Sequence, residues 1–209
     1  MDEGYLIINS HSENVLEVNL LIQSIKKIDS KRPVCVATTD NDLKFIEADK
    51  IIYIEEPNPT VAFFKSMLDS PYIKTIALLP DQILTSFNTA IWENLRGMES
   101  IVLPKNRFSF NDMIIDPVLY PLSQTDVKSF GLTSIPNAIY FNKEKECDYI
   151  FGLAVILSSN YEQHKYIDFF ADKEHSMPPF PNFIWPSWML SFLQTITDDK
   201  ITTFDFIHC

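Results

Sequence analysis

Glycine is nearly missing from this chain: only Gly4, Gly97, Gly131 and Gly152 occur in 209 residues. Neither GxGxxG nor GxxxxGK[ST] can be assembled from them, so a nucleotide bound by this fold is not cradled by a glycine loop. Cysteine is equally sparse. Cys35, Cys147 and Cys209 are odd in number and show no CxxC spacing, which indicates neither a disulfide framework nor a cysteine zinc site and leaves reduced thiols as the reading. Basic residues are outnumbered, 17 Lys and Arg against 28 Asp and Glu, for a net charge of -11. Displacing counterions from a phosphate backbone takes clustered Lys and Arg, so the balance argues against nucleic acid and anionic membrane surfaces as partners. Long apolar runs are absent too: none approaches the ~18 residues that suggest a membrane span, and MDEGYLIIN puts no basic segment before the first apolar run. The expectation is a soluble, cytoplasmic protein with no integral membrane segment. No HExxH motif and no Ser-His-Asp ordering supports a hydrolase.

What is present is core material. An apolar fraction of 46% over 209 residues suits one domain spanning 1–209. The run Tyr5–Asn9 reads as a strand, and Ser10 with Glu13 three residues later makes a capping box. Val15, Val18, Leu21, Ile22, Ile25 and Ile28 then recur at helical spacing. PVCVATT (33–39) predicts a second strand, Leu43–Ala48 a short helical piece, and Ile51–Ile54 a third strand. The prolines of EEPNPT break regular structure. Val61–Leu68 predicts a helix, Lys74–Leu79 a strand, Asn88–Arg96 a helix ended by a left-handed Gly97, and Ser100–Leu103 a strand. Residues 104–136 read as a long polar, proline-broken region. Beyond it come a strand at 137–142, helices at Lys145–Leu157, Tyr161–Phe170 and Trp188–Thr195, and a last strand, ITTFDFI. Strands alternating with helices predict an α/β fold with a mostly parallel, doubly wound sheet, whose ligands collect at the carboxyl ends of the strands.

The stretch SPYIKTIALLPDQILTSF (70–87) is an apolar strand running into a proline and one carboxylate, Asp81. Together with Lys65 ahead of Ser70-Pro71-Tyr72, the tail Ile83-Leu84, the segment TAIWENLRGMESIV and the later PNAIYFN (136–142), it resembles the GT-A fold of nucleotide-sugar-dependent glycosyltransferases. The similarity runs in order over about residues 4–142. It implies a Rossmann-like GT-A domain with a nucleotide-binding half (1–104) and an acceptor-side half (105–209). It further implies transfer of a sugar from a nucleotide-diphosphate donor to an unknown acceptor, whether glycan, lipid or protein. The family commonly carries Asp-x-Asp where this chain reads Leu79-Pro80-Asp81, so the motif is degenerate and one carboxylate is lost. Ile139 likewise stands where glycine is usual in the family's Asn-Ala-Gly strand.

The resemblance implies roles for particular residues. Asn9, Ser10 and His11 end the first strand where the base and ribose are contacted, at a helix N-terminus that favours anions. Thr39 and Asp40 end the second strand beside the nucleotide, Lys65 reaches toward the diphosphate as a point charge, and Asn137 lies near the donor sugar. A divalent cation, Mn²⁺ or Mg²⁺, is implied at Asp81, with His208 as a second ligand; one lost carboxylate leaves the site to be completed by other groups. Each residue also has a plainer reading: Ser10 as a cap, Thr39, Asp40 and Asp81 as turn residues, Lys65 as a solvated lysine, His208 as a chain end. Trp185 and Trp188 are either core or an acceptor platform. Asp112 is a candidate general base chosen without a motif. The lost carboxylate keeps a second function open, a GT-A-like binding or assembly module without catalysis.

Overall fold

The computed structural model describes residues 2–10, 15–45, 47–80, 84, 90–98, 100–104, 138–160, 193 and 201–204. The order along the chain is β1 (Glu3–Asn9), α1 (Val15–Ile28), β2 (Val34–Thr38), β3 (Lys50–Tyr53), α2 (Pro59–Leu68), β4 (Lys74–Leu78), α3 (Ala90–Arg96), β5 (Ile101–Pro104), β6 (Ala138–Asn142), α4 (Cys147–Ser159) and β7 (Ile201–Phe204). Among the described residues the strands join one seven-stranded sheet in the order β3-β2-β1-β4-β6-β5-β7. β1 pairs in parallel with β2 and β4, β2 with β3, and β5 with β7, whereas β6 runs antiparallel to both β4 and β5. The chain moves outward from β1 through β2 to β3, then returns to β4 on the other side of β1. That reversal creates a switch point beside β1, where open α/β sheets present ligand sites.

Near-continuous apolar strands follow from a sheet covered on both faces. Leu6, Ile8, Cys35, Ala37 and Ala77 share one core with α2 and α4, while Tyr5, Ile7, Val34, Val36 and Ile76 share another with α1 and α3. The alternation is the period-two pleat of the strand. Burial pushes the Cys35 and Cys147 thiols up to about 12, so both stay protonated. Gly4 is required sterically, since a Cβ there would lie 2.6 Å from the Tyr72 ring.

The amino edge of the strands is held by charge. The Tyr5 hydroxyl donates to Asp29 at 3.0 Å and accepts from Trp92 Nε1 at 3.1 Å. Arg32 donates to Asp29 and Glu3, Arg96 donates to Glu3 at 2.6 Å, and the Arg32 guanidinium lies 4.6 Å from the centroid of the Trp92 ring. These bonds fix α1 and α3 to β1 at the edge opposite the carboxyl ends of the parallel strands. At the same edge the Lys143 ammonium donates to the carbonyls of Leu68 and Ser70, capping the end of α2.

Three local expectations are corrected. Residues 43–48 form no helix: the described positions there are coil and turn, and Glu47 has a φ of 65°, which a helix cannot accommodate. Pro59 does not break structure but opens α2, as the first helical position has no intrahelical use for an N–H. Gly97 is not left-handed; the end of α3 is closed instead by a Met98 N–H to Leu95 carbonyl bond. The expected start of the first helix, Asn88, the region 105–136 and the expected helix at 161–170 fall outside the described residues. So does most of the expected helix at 188–195, of which Leu193 is helical and buried.

Candidate functional site

Three parallel strands deliver their carboxyl ends to one edge, and the loops leaving them enclose an open cleft of about 350 Å³ lined by Ser10, Thr39, Tyr53, Glu55, Glu56, Pro57 and Pro59. Ser10 follows β1, Thr39 follows β2, and Tyr53 ends β3. Thr39 Oγ1 donates to the Ser10 carbonyl at 3.5 Å, a long bond that ties the first two loops together. The third loop continues the sheet briefly, through an Ile54 N–H to Thr38 carbonyl bond of 2.8 Å.

The far wall is rigid for reasons written in EEPNP. Asn58 caps α2, its Oδ1 accepting the N–H groups of Thr60 at 3.0 Å and Val61 at 3.2 Å. Glu56 Oε1 accepts the Asn58 N–H at 3.2 Å, and Glu56 Oε2 accepts from the Lys65 ammonium at 2.6 Å. Long side chains on a helix point back toward its N-terminus, which is how Lys65, in the second turn of α2, reaches the cleft wall. Pro57 and Pro59 restrict the backbone on either side of the cap. The lining residues given above carry two carboxylates and no Lys or Arg, so the cleft is rich in acceptors and unfavourable for a bare phosphate.

Of the residues singled out in the sequence, Ser10 and Thr39 line the cleft, and Lys65 touches its wall through Glu56. Asp40 follows directly but turns its Oδ1 to the Asp42 N–H at 2.8 Å. Asn9 is 1% exposed, and neither its Oδ1 nor its Nδ2 has a hydrogen-bond partner. An orphaned buried amide of this kind costs about 1–3 kcal/mol. Leu79, directly after β4, packs against the α2/α4 core. His11, Asp81, Asp112, Asn137, Trp185, Trp188 and His208 fall outside the described residues. Among the described residues no group of three or more His, Cys, Asp or Glu is placed to hold a metal ion, and of the two cleft carboxylates Glu56 is already paired with Lys65. The described residues therefore do not themselves make a cation site. None of the described helices is long and apolar enough to cross a membrane.

The sequence reading missed Tyr53, Glu55 and Glu56. Their signal was available: a strand ending in an aromatic residue and two adjacent acids is a polar strand end of the same kind as NS and TTD.

No protein-family model matches the chain, and no curated protein matches it significantly. Solved structures do match. Glycosyltransferase GlyE of Streptococcus pneumoniae TIGR4 superposes with a TM-score of 0.56 at 11% identity over 98% of this chain and 45% of GlyE. The galactosyltransferase LgtC, in complex with donor and acceptor sugar analogs, superposes with a TM-score of 0.57 at 9% identity over 95% of this chain and 72% of LgtC. The sheet is thus GT-A-like. At these identities the likeness establishes the fold, and the chain spans less than half the length of GlyE.

Proposed function

We propose that this chain is a glycosyltransferase domain whose cleft at the ends of β1, β2 and β3 receives the nucleoside of a nucleotide-diphosphate sugar. The observation that carries the reading is the cleft itself: an acceptor-rich pocket beside the switch point of a GT-A-like sheet. Base N–H groups and ribose hydroxyls are donors, which match Glu55, Ser10 and Thr39, while Tyr53, 45% exposed, offers a ring face to a base. The diphosphate then leaves the acidic cleft toward the segment after β4, where Pro80 and Asp81 follow.

In the transfer, the bond between the donor sugar's anomeric carbon and the diphosphate oxygen breaks. The acceptor hydroxyl oxygen bonds to that carbon, its proton passes to a base, and the nucleoside diphosphate leaves. We assign Asp112 as that base, Asn9, His11 and Asp40 to the nucleotide, and Asn137 to the donor sugar. Asp81 and His208 are the residues that would hold a Mn²⁺ or Mg²⁺ ion, which would neutralise charge on the leaving diphosphate. Residues 1–104 form the nucleotide-binding half and 105–209 the acceptor-side half of one cytoplasmic domain.

Titration calorimetry against UDP-, GDP- and CDP-sugars, with and without Mn²⁺, tests the reading. Saturable binding of at least one donor is expected; no binding across the panel overturns it. One observation favours a second reading, a degenerate module that binds without catalysing. By the sequence resemblance Leu79 stands where the family's motif places an acid, and its side chain packs against the core. Under that reading Leu79→Asp gains cation-dependent donor binding that the parent lacks.

A further inference from the structure

A dianionic diphosphate leaving an acidic cleft needs a cation, and the ammonium that touches the cleft wall is not free. Lys65 is bound to Glu56 at 2.6 Å, and Glu56 is itself a wall residue of the cleft. The pair is only part-buried, with side-chain exposures of 38% for Lys65 and 17% for Glu56. Ion pairs in such settings are worth little and exchange readily. By contrast, Glu56 has a second bond that does not depend on Lys65, the one its Oε1 accepts from the Asn58 N–H. The loop therefore stays in place when the ammonium moves.

We propose that Glu56 is a displaceable counter-ion for Lys65: it holds the ammonium at the cleft wall while no donor is bound and yields it to the donor's diphosphate on binding. The inference rests on the nucleotide-sugar reading of the same cleft and assigns a role to Glu56, which that reading does not use. Two consequences separate it from a structural role. The nucleoside part of the ligand does not engage Lys65, so the pair leaves nucleoside affinity alone. The diphosphate competes with Glu56 for one cation, so the carboxylate lowers diphosphate affinity.

The test measures binding of uridine, guanosine and cytidine, of UDP, GDP and CDP, and of inorganic pyrophosphate to the full chain, to Glu56→Gln, to Lys65→Met and to the double variant. Glutamine keeps an oxygen for the Asn58 N–H and cannot hold an ammonium as an anion does, so the loop is preserved; equal melting temperatures verify this. The expected result is that Glu56→Gln tightens the diphosphates and pyrophosphate roughly two- to fivefold with nucleosides unchanged. Lys65→Met weakens the diphosphates, and in its background Glu56→Gln has no further effect. Unchanged or weaker diphosphate and pyrophosphate binding in Glu56→Gln overturns the proposal, as does an equal shift for nucleosides. So does the failure of pyrophosphate and every diphosphate to bind either protein. Nucleosides that bind without the diphosphate split overturn the counter-ion role and leave the nucleotide reading standing. Absence of nucleoside and nucleotide binding overturns that reading, while the pyrophosphate arm still decides the exchange at Lys65.

Discussion

Asn9 closes β1 with a side chain that is buried and makes no hydrogen bond. Folding has removed its amide from water without giving it a partner, a cost retained one residue before the cleft-lining Ser10. Residues that break a local rule of stability gather at functional sites, and this one lies at the strand end that the switch point singles out. Asn9→Leu removes the orphaned groups at similar volume. Urea denaturation is expected to show equal or greater stability, by up to about 1–3 kcal/mol, while donor affinity measured by calorimetry falls. Lower stability together with unchanged affinity contradicts a ligand-side role for the amide. Tyr5 at the other end of the same strand is the opposite case, its hydroxyl satisfied by both Asp29 and Trp92. One strand thus carries a fully paired polar end and an unpaired one, and the unpaired one is next in sequence to the cleft-lining Ser10.

The element that shapes the cleft is α2. Its N-terminus is built by Asn58, its first turn by Pro59, and its second-turn lysine reaches back to Glu56. Asn58→Ala removes two accepted backbone N–H bonds and is expected to cost about 1 kcal/mol in urea unfolding, within the 0.5–2 kcal/mol span of N-cap losses. Because Glu56 is bonded to the Asn58 backbone rather than its side chain, the cleft wall survives, and donor affinity should change less than stability. The same element shows where sequence reading stopped. Val61–Leu68 is legible from its apolar content, but the two prolines around Asn58 read as breakers, since sequence does not say which side of a helix boundary a proline occupies. β1, β2 and β4 were legible because buried parallel strands are continuous apolar runs. The antiparallel direction of β6 was not, because strand direction is set by pairing partners far apart in the chain. Ser10 and Thr39 were legible as polar strand ends; Glu56 was not, because its meaning comes from Lys65, nine residues on and around a helix start.

For the whole molecule, the cleft and the anchoring network lie at opposite edges of the sheet. The carboxyl edge holds the cleft, and the amino edge holds the ion-pair network that fixes the helices to the sheet. Burial pushes the Glu3 carboxyl up, but bonds from Arg96 and Arg32 outweigh it and hold the group below its ordinary value. Asp49 follows the same pattern, burial opposed by the Lys26 ammonium and the Val34 N–H, with a net lowering. A carboxyl depressed by folding contributes stability that is present above its unfolded value, near pH 4, and is lost as pH falls through the folded one. Thermal melting should therefore fall as pH drops below about 4, and less steeply in Arg96→Met, whose parent side chain donates twice to Glu3. A melting temperature indifferent to acid contradicts this anchoring role.

The central claim is that the cleft at the ends of β1, β2 and β3 receives a nucleotide. Mapping backbone amide shifts on titration with UDP, GDP and CDP tests it most directly. The account predicts that, among the described residues, the largest shifts gather at Ser10, Thr39, Tyr53, Glu55 and Glu56 and that Glu3, Arg32 and Arg96 at the opposite edge stay still. Shifts centred on that opposite edge, or none with any of the three nucleotides, would contradict it.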